Sequence, residues 1–430
     1  MKRTIVLLLA LTGIVFLGGC QKRDGEVRTI TWMTVRPLYQ NAQKVIVGLT
    51  EEYMAANPNF RVEFMSIQDR PSYYQRLTIL AANNALPEIF DAEGDTLTAQ
   101  IAAGGALVDV DELYAELDYL DRILRIGLDY GRLNNGRLYT LAWENNIEYI
   151  WYRKSLFEKA GIAGPPETFD ELLDVSRRLE NAGITPIAIW GNEGWPLLRW
   201  MAFIPFRLHG NEYIENLKVG RARMADPVGL QAAEFFRTLS GYFMPGWSTA
   251  TYDGALDAFL SGNAAMYYIG SWQFNTFMDA DNELLDDFAF FHMPTIEGAV
   301  NGRTDLWAHA GTGTAIRKDT FDDQVRDYIA FILDRYPERV FKETRIFPAA
   351  DFDATGANLS SFEMFTLNER RAMTSYGYCW DVRMDTATTD VITREIVNLG
   401  MGAITPQVFA GRVDAAIAVN APRFFGVEGE

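Results

Sequence analysis

The fold is decided by one stretch in the first half of the chain, Ile150-Trp-Tyr-Arg-Lys-Ser-Leu-Phe-Glu-Lys-Ala-Gly161, and its continuation, Pro166-Glu-Thr-Phe-Asp-Glu-Leu172. The first segment begins as a strand and continues as a short helix that a glycine closes. In the second segment Thr168 and Glu171 form a capping box, because each side chain accepts a hydrogen bond from a free amide at the start of a helix. Gly183 ends that helix, and a strand over residues 186–190 follows. This order of elements indicates an α/β unit.

The rest of the chain alternates strand-like and helix-like segments. Apolar runs predict strands at residues 29–35, 60–64, 87–91, 137–142, 147–152, 264–269, 288–292 and 313–316. Apolar residues at helical spacing predict helices at residues 38–57, 72–85, 107–128, 253–260, 272–278 and 320–334. Such alternation predicts a mainly parallel α/β sheet. No repeat or long linker marks a domain boundary, which predicts lobes that the chain crosses more than once.

The composition limits the possible functions. The 430 residues include 39 basic and 57 acidic side chains, which give a formal net charge of −18. A protein this acidic repels nucleic acid and anionic lipid unless a basic patch overrides its field, so nucleic-acid binding is not expected. With 48% apolar and 13% aromatic residues, the chain has enough apolar material for two domains or lobes.

Residues 1–19 are predicted to be a signal peptide. Lys2 and Arg3 precede an apolar run that is too short for a permanent membrane span. The run ends at Leu17-Gly-Gly-Cys20, which resembles a bacterial lipobox, in which the peptide is cut before the cysteine and that cysteine carries a lipid. The alternative is an ordinary secretory signal with a chance cysteine. On the first interpretation, residues 20–27 form a polar tether and the body of the protein lies outside the cytoplasm.

No metal site, cofactor or disulfide is expected. With Cys20 acylated, Cys379 is the only other cysteine, so an intrachain disulfide is excluded. The three histidines are scattered along the sequence, and no cluster of cysteine and histidine has the spacing of metal ligands.

Several motifs, in order along the chain, resemble those of a known family. Besides the two segments quoted above, they are Asn135-Gly-Arg-Leu-Tyr139, Gly183-Ile-Thr-Pro-Ile187, and Phe259-Leu-Ser-Gly-Asn-Ala-Ala-Met266 followed by Gly270-Ser-Trp272. Together they resemble the extracellular solute-binding proteins of ABC importers, especially the sugar-binding group that includes maltose-binding protein. The resemblance spans nearly the whole chain after the signal peptide and is loose beyond Phe347.

The resemblance implies a periplasmic-binding-protein-like fold, in which two α/β lobes are joined by a hinge of several crossings and a ligand cleft lies between them. One lobe would comprise residues 28–142 and 294–336, and the other residues 143–293 and 337–430.

Loop tryptophans are the first candidate ligand contacts. A sugar needs aromatic rings that stack on its C–H faces and polar groups that bind its hydroxyls. Four tryptophans lie in loops rather than in periodic segments: Trp272, Trp195, Trp307 and Trp380. The family places an aromatic residue of the Gly-Ser-Trp motif against the solute, which favours Trp272. The alternative for each is packing in the core, which we expect for Trp151 and Trp200.

Carboxylates at strand ends are the second group of candidates, because open α/β sheets bind ligands there. Glu93 and Asp69 each follow a predicted strand, and Glu144 lies between two. We expect these three side chains to contact the ligand. The alternative for each is a solvated loop residue or a helix cap, a role that Asp95 also fits.

These features predict a membrane-tethered solute receptor and not an enzyme. It would capture a carbohydrate or similar polar solute and deliver it to ABC permease subunits, and it would contact the membrane through the lipid on Cys20. The alternative is a secreted glycoside hydrolase, which would use a pair of carboxylates in a similar cleft. The sequence contains no nucleophile elbow, Walker loop or metal triad of another enzyme class. An adhesin or structural lipoprotein would show repeats or a disulfide framework, and the sequence has neither.

Overall fold

The computed structural model describes residues 27–356 and 358–426. The predicted signal peptide, Cys20 and all of the predicted tether except Val27 lie outside the described residues. No described helix is both long enough and apolar enough to span a bilayer.

The described residues form strands and helices in alternation. The strands are β1 (Arg28–Thr34), β2 (Phe60–Ser66), β3 (Ile89–Ala92), β4 (Asn146–Arg153), β5 (Ile187–Ala188), β6 (Met266–Gly270), β7 (Phe288–Phe291), β8 (Ala308–His309) and β9 (Gly313–Ile316). The helices are α1 (Asn41–Ala56), α2 (Arg70–Ala82), α3 (Thr96–Ala103), α4 (Val110–Glu116), α5 (Arg125–Gly131), α6 (Lys154–Lys159), α7 (Phe169–Asn181), α8 (Trp195–His209), α9 (Glu212–Leu217), α10 (Pro227–Leu239), α11 (Tyr252–Leu260), α12 (Asp323–Thr344), α13 (Ser361–Ala372), α14 (Trp380–Arg383), α15 (Thr386–Gly400) and α16 (Pro406–Phe425).

The strands form two separate sheets, each with its own core. The first sheet has the order β2-β1-β3-β9, and its first three strands run parallel. Its largest core cluster surrounds Trp32 and includes residues of α1 and α12. The second sheet has the order β5-β6-β4-β7, and β8 pairs with β4. Its core is rich in aromatic residues and contains Trp151 and Trp200, which are buried as predicted. The predicted fold of two α/β lobes is therefore confirmed.

The prediction of a mainly parallel sheet is wrong for the second lobe. There β4 pairs antiparallel with β6, β7 and β8, and only β5 and β6 are parallel. The reason is that an apolar run indicates a buried strand but carries no information about the direction of its neighbours.

Two local predictions are also wrong. The single helix predicted over residues 107–128 is interrupted, because α4 ends before Asp118, which has a positive φ of 52° that a helix does not tolerate. The strand predicted over residues 137–142 is reduced to isolated bridges at Leu138 and Leu141.

The predicted capping box of α7 and the predicted helix-ending glycines are confirmed. The Thr168 hydroxyl accepts from the Glu171 amide at 3.2 Å, and the Glu171 carboxylate accepts from the Thr168 amide at 3.3 Å. Gly161 and Gly183 end the preceding helix and α7 with φ of 68° and 72°, in the left-handed region that glycine tolerates best.

Three neighbouring segments join the lobes. The Asn145 amide donates to the Phe347 carbonyl at 2.8 Å, the Glu144 amide to the Ala310 carbonyl at 3.2 Å, and the Ala349 amide to the Trp143 carbonyl at 3.0 Å. We call residues 142–147, 308–314 and 345–350 the joining segments. The residue limits of the two lobes stay a prediction.

Candidate functional site

Polar side chains of the first lobe meet where β3 ends and α2 begins. The Arg70 guanidinium donates to the Glu93 carboxylate at 2.7 Å, and the Thr312 hydroxyl donates to the same oxygen at 3.3 Å. Glu93 is 7% exposed and Arg70 is partly exposed. The ion pair therefore holds a carboxylate and a guanidinium at the surface of the lobe, where both retain unused hydrogen-bonding capacity.

Tyr74 adds a free polar group beside this pair. The Arg70 guanidinium lies 5.0 Å from the centre of the Tyr74 ring. The Tyr74 hydroxyl is shielded from solvent and has no hydrogen-bond partner among the described residues. Burial raises the pKa of Tyr74 well above its usual value, so the hydroxyl keeps its proton. Such a group is available to a ligand that accepts a hydrogen bond.

Asp95 and Asp69 both cap helices. Asp95 accepts from the Thr98 amide at 2.8 Å, at the start of α3, and burial together with the nearby Glu93 raises its pKa to about 6. Asp69 accepts from the Ser72 amide at 2.9 Å and is exposed, and its hydrogen bonds with Ser72 lower its pKa. The structure thus places Asp69 outside the group formed by Glu93, Arg70 and Tyr74.

Two tryptophans of the second lobe stand side by side. Trp195 begins α8, and Trp272 lies in the 3₁₀ segment Ser271–Phe277 that follows β6. Their ring centres are 6.2 Å apart in an edge-to-face arrangement, and both side chains are partly exposed. Trp195 follows Gly194, which has a φ of 78°, and the Trp272 ring lies over Gly270, where any side chain would overlap it. We call Trp195 and Trp272 the tryptophan pair.

Both indole N–H groups of the tryptophan pair are already bonded within the protein. Trp195 Nε1 donates to the Glu193 carboxylate at 2.8 Å, and Trp272 Nε1 donates to the Tyr252 hydroxyl at 3.2 Å. These bonds fix the orientation of each ring. What the pair can offer a ligand is therefore apolar ring surface, which suits stacking.

A network of buried charged residues contacts the tryptophan pair. Arg199 contacts Asp381 at 2.6 Å and Glu148 at 3.4 Å, and its guanidinium lies 5.2 Å from the centre of the Trp195 ring. Glu148 also accepts from the Tyr268 hydroxyl and lies 3.1 Å from His309 Nε2. Although burial favours the neutral acid, Arg199, His309 and Tyr268 together lower the pKa of Glu148. Glu148 is therefore held as a carboxylate.

His309 lies between the two lobes. Its Nδ1 accepts from the Gly311 amide at 3.0 Å, so its Nε2 carries the hydrogen that is donated to Glu148. Its ring centre is 5.3 Å from that of Trp272 and 5.6 Å from that of Tyr130, a residue of α5 in the first-lobe core. The histidine therefore links the tryptophan pair to the first lobe.

Further contacts bring the lobes together. The Thr386 amide donates to the Thr96 hydroxyl at 3.0 Å, between the starts of α15 and α3. Burial alone would lower the pKa of Arg70, but Glu93, Tyr74 and also Asp381 of the second lobe raise it well above its usual value. A charge of the second lobe thus acts on a charge of the first lobe.

The three remaining predicted contacts, Glu144, Trp307 and Trp380, are buried. Glu144, in a joining segment, is 6% exposed and accepts from the Asn146 amide group at 2.6 Å. Trp307 is 2% exposed and packs against Phe206, with ring centres 5.2 Å apart. Trp380 is 3% exposed and stacks on Tyr213. Trp307 and Trp380 therefore have little surface left for a ligand, whereas both rings of the tryptophan pair are partly exposed.

The sequence analysis overlooked Arg199, Glu148 and Tyr74. A usable signal existed for the first two. Arg199 is a lone charge within the apolar first half of α8, and Glu148 is the only acidic residue of β4. A charge within a buried apolar segment indicates a buried ion pair or a functional group. Tyr74 gave no such signal.

Among residues 27–356 and 358–426, no group of three or more histidine, cysteine, aspartate or glutamate side chains could hold a metal ion. The chemistry of the cleft is therefore described by the stacking surface of two indoles, one ion pair, and the free hydroxyl of Tyr74.

Two α/β lobes that meet at a polar and aromatic cleft define the class of two-lobed ligand receptors. Residues 39–335 match the sequence profile described as bacterial extracellular solute-binding protein, which is more than half of the chain. The chain belongs to this family.

Relatives with known names agree with this assignment. A putative ABC transporter periplasmic-binding protein of Escherichia coli, YcjN, is 27% identical over 62% of this chain and 60% of its own length. The multiple sugar-binding protein of Streptococcus mutans is 27% identical over 70% of this chain and 72% of its own length. The solved structure of a chitin oligosaccharide binding protein has a TM-score of 0.81 at 20% identity, and the match covers 92% of this chain and 100% of that one. This chain therefore spans about 60% of the E. coli relative.

Proposed function

We propose that the protein captures a carbohydrate, or a similar polar solute, between its lobes and delivers it to the permease of an ABC importer. The observation that carries this proposal is the tryptophan pair, whose N–H groups are bonded internally while the rings stay partly exposed. The flat C–H faces of a sugar would stack on these rings. Names among the relatives, including the sugar-binding and chitin oligosaccharide binding proteins, support a sugar as the solute.

The two lobes would make different contributions. The tryptophan pair would supply most of the affinity through burial of apolar surface. Arg70, Glu93 and the Tyr74 hydroxyl, which belong to the first lobe, would bind the hydroxyls of the solute and select among sugars.

Closure would couple capture to transport. A solute bound to one lobe gains the contacts of the other lobe only when the cleft closes, so it favours the closed state by the energy of those contacts. The permease would then recognise a surface composed of both lobes. The joining segments are the natural place for the hinge, because they are the places where the chain passes between the two sheets.

The remaining predictions belong to the same proposal. The lipid on Cys20 would hold the protein at the membrane, outside the cytoplasm, and residues 20–27 would act as the tether. Residues 28–142 and 294–336 would move as one lobe against residues 143–293 and 337–430. Glu144, Trp307 and Trp380, which are buried, and Asp69, which is exposed and caps α2, remain proposed contacts.

One observation supports the hydrolase alternative. The pKa of Asp95 is raised to about 6 by burial and by the neighbouring Glu93, and glycosidases use such a raised carboxyl as the general acid. We favour the receptor, because the chain belongs to a solute-binding family and Asp95 is already engaged as a helix cap.

A thermal-shift screen beside a hydrolysis assay distinguishes the two. The panel should hold mono- to tetrasaccharides of glucose, N-acetylglucosamine, xylose and galactose. The receptor predicts saturable stabilisation by one of them with no new reducing ends after prolonged incubation. Turnover that is lost in Asp95→Asn would instead establish the hydrolase.

A further inference from the structure

A cavity of about 380 Å³ lies against the joining segments. Asn145 and Ala308 line it. Their neighbours Asn146 and His309 point the other way, because adjacent side chains of an extended segment face opposite sides. Asn146 accepts from the Ser271 hydroxyl at 2.8 Å, next to Trp272, and His309 contacts Trp272 itself. The cavity is therefore separate from the cleft.

Both lobes contribute walls to this cavity. Leu124, Ile126 and Asp129 come from α5 and the residue before it, and Met373, Ser375, Tyr376 and Tyr378 come from the segment after α13. The Tyr376 hydroxyl lies 3.3 Å from the Asp129 carboxylate, which also pairs with Arg125 at 2.9 Å. The negative charge of Asp129 is thus balanced by Arg125. The rest of the wall is mixed, with the apolar Leu124, Ile126, Ala308 and Met373 and the polar Asn211, Thr374 and Ser375.

Two cations line this cavity: Arg125 is paired with Asp129, whereas Arg370 has no carboxylate partner among the described residues. Its Nε and Nη2 donate to the Asn145 carbonyl at 3.0 and 2.9 Å, and its guanidinium lies 4.0 Å from the centre of the Phe347 ring. No carboxylate of a described residue forms an ion pair with it, and its Nη1 is shielded from solvent without a hydrogen-bond partner. Burial lowers the pKa of Arg370 to about 10, with only Tyr149 acting against the shift. A buried cation in this state is costly unless something pairs with it.

Other buried groups of the chain make this position unusual. Arg199 is paired with two carboxylates, and the guanidinium of Arg207 is surrounded by backbone carbonyls and Asn301. The Tyr149 hydroxyl, whose pKa the Arg370 charge lowers against the larger effect of burial, also lacks a partner among the described residues. An acceptor placed beside Arg370 would pair with the free N–H groups.

We propose that this cavity is a second ligand site, which binds a small organic carboxylate. The carboxylate would pair with Nη1 of Arg370, which has no partner of its own among the described residues, and the apolar body would lie against Ile126, Met373 and the tyrosine rings. The site does not depend on the function proposed for the cleft. Because its walls come from both lobes, its occupant contacts both sides of the hinge.

The test compares benzoate with benzamide, which has the same shape and no charge. Isothermal titration of the wild-type protein at constant ionic strength should show saturable binding of benzoate, and benzamide should bind about tenfold more weakly or worse. Arg370→Gln should weaken benzoate binding to a similar extent. The matched control is Arg371→Gln, which removes the same charge from the exposed neighbouring residue and should leave binding unchanged.

Two further variants test the proposal. If Arg370→Gln does not fold, as judged by near-UV circular dichroism, Arg370→Lys keeps the charge but loses the fork and should still weaken binding. Trp272→Ala should leave benzoate binding intact, which separates this site from the cleft. Equal binding of benzoate and benzamide, equal loss in Arg371→Gln, or no saturable binding of benzoate would each overturn the proposal.

Discussion

Trp272→Ala removes one ring of the tryptophan pair and should reduce sugar affinity far more than stability. Covering one indole face takes about 60–80 Å² of apolar surface out of water, which is worth ~1.5–2 kcal/mol. The geometry of ring stacking adds about 0.5–1 kcal/mol. The expected loss of binding free energy is therefore about 2–3 kcal/mol, so Kd should rise about 30- to 150-fold.

The stability of the variant should change less. Trp272 is partly exposed, and its deletion loses the edge-to-face contact with Trp195 at 6.2 Å and the hydrogen bond to Tyr252. We expect the free energy of unfolding to fall by about 1–2 kcal/mol, below the cost of deleting a fully buried tryptophan.

The assay is isothermal titration with the sugar that gives the largest thermal shift. The matched control is Trp32→Phe, in the core of the first lobe, where the indole is fully buried and its N–H has no partner among the described residues. That variant should change stability and leave Kd unchanged. If folded Trp272→Ala binds the sugar within about twofold of the wild type, stacking on this ring is refuted.

Three further variants test the polar groups. Arg70→Gln leaves the Glu93 carboxylate without its cation, so the free energy of unfolding, measured in urea, should fall by about 2–3 kcal/mol. The double variant with Glu93→Gln should recover part of this loss, and a double variant that recovers none would contradict the pairing. The folded-state pKa of Asp95, about 6, lies above its unfolded value, so the wild type loses stability as the pH rises from about 4 to 6. Asp95→Asn keeps the helix cap and should gain about 1–2 kcal/mol relative to the wild type over that interval, and a difference in Tm that does not change with pH would argue against it. Arg199→Met leaves the buried Glu148 carboxylate without its cation and should lower the free energy of unfolding by about 3 kcal/mol or more. Because Arg199 lies against the Trp195 ring, sugar affinity should also fall. An unchanged Tm would show that the network contributes nothing to stability.

Local sequence signals predicted the helices and strands well where capping residues and glycines set the ends of an element. The capping box at Thr168 and the glycines at 161 and 183 fix the ends of α6 and α7 through contacts within a few residues. Strand direction depends on partners far along the chain, and this is why the antiparallel pairing of β4 could not be predicted.

The predicted ligand contacts also differ in how well local sequence could identify them. Trp272 and Trp195 were predicted as ligand contacts because they lie in loops, and both are partly exposed. Trp307 gave a similar local pattern, but its ring is covered by Gly377 and Phe206, which lie far away in the sequence. Burial of a large side chain is decided by distant segments, so a loop position alone does not identify a ligand contact.

The network of buried charged residues was the main feature not predicted from the sequence. Arg199, Glu148 and Asp381 come from α8, β4 and α14, and only the fold brings Arg199 within 2.6 Å of Asp381 and 3.4 Å of Glu148. Each could be noted as a charge in or beside an apolar segment, but the pairing could not be read from spacing. The pairing of Glu93 with Arg70, 23 residues apart in the sequence, could not be read from spacing for the same reason.

The most direct test of a solute held between the lobes is a crystal structure of the protein with the sugar found in the thermal-shift screen. We predict density for the sugar against the rings of Trp195 and Trp272, with hydrogen bonds from Glu93 or Arg70 of the other lobe. A sugar bound elsewhere, or a complex in which both indoles are covered only by protein, would contradict the proposal.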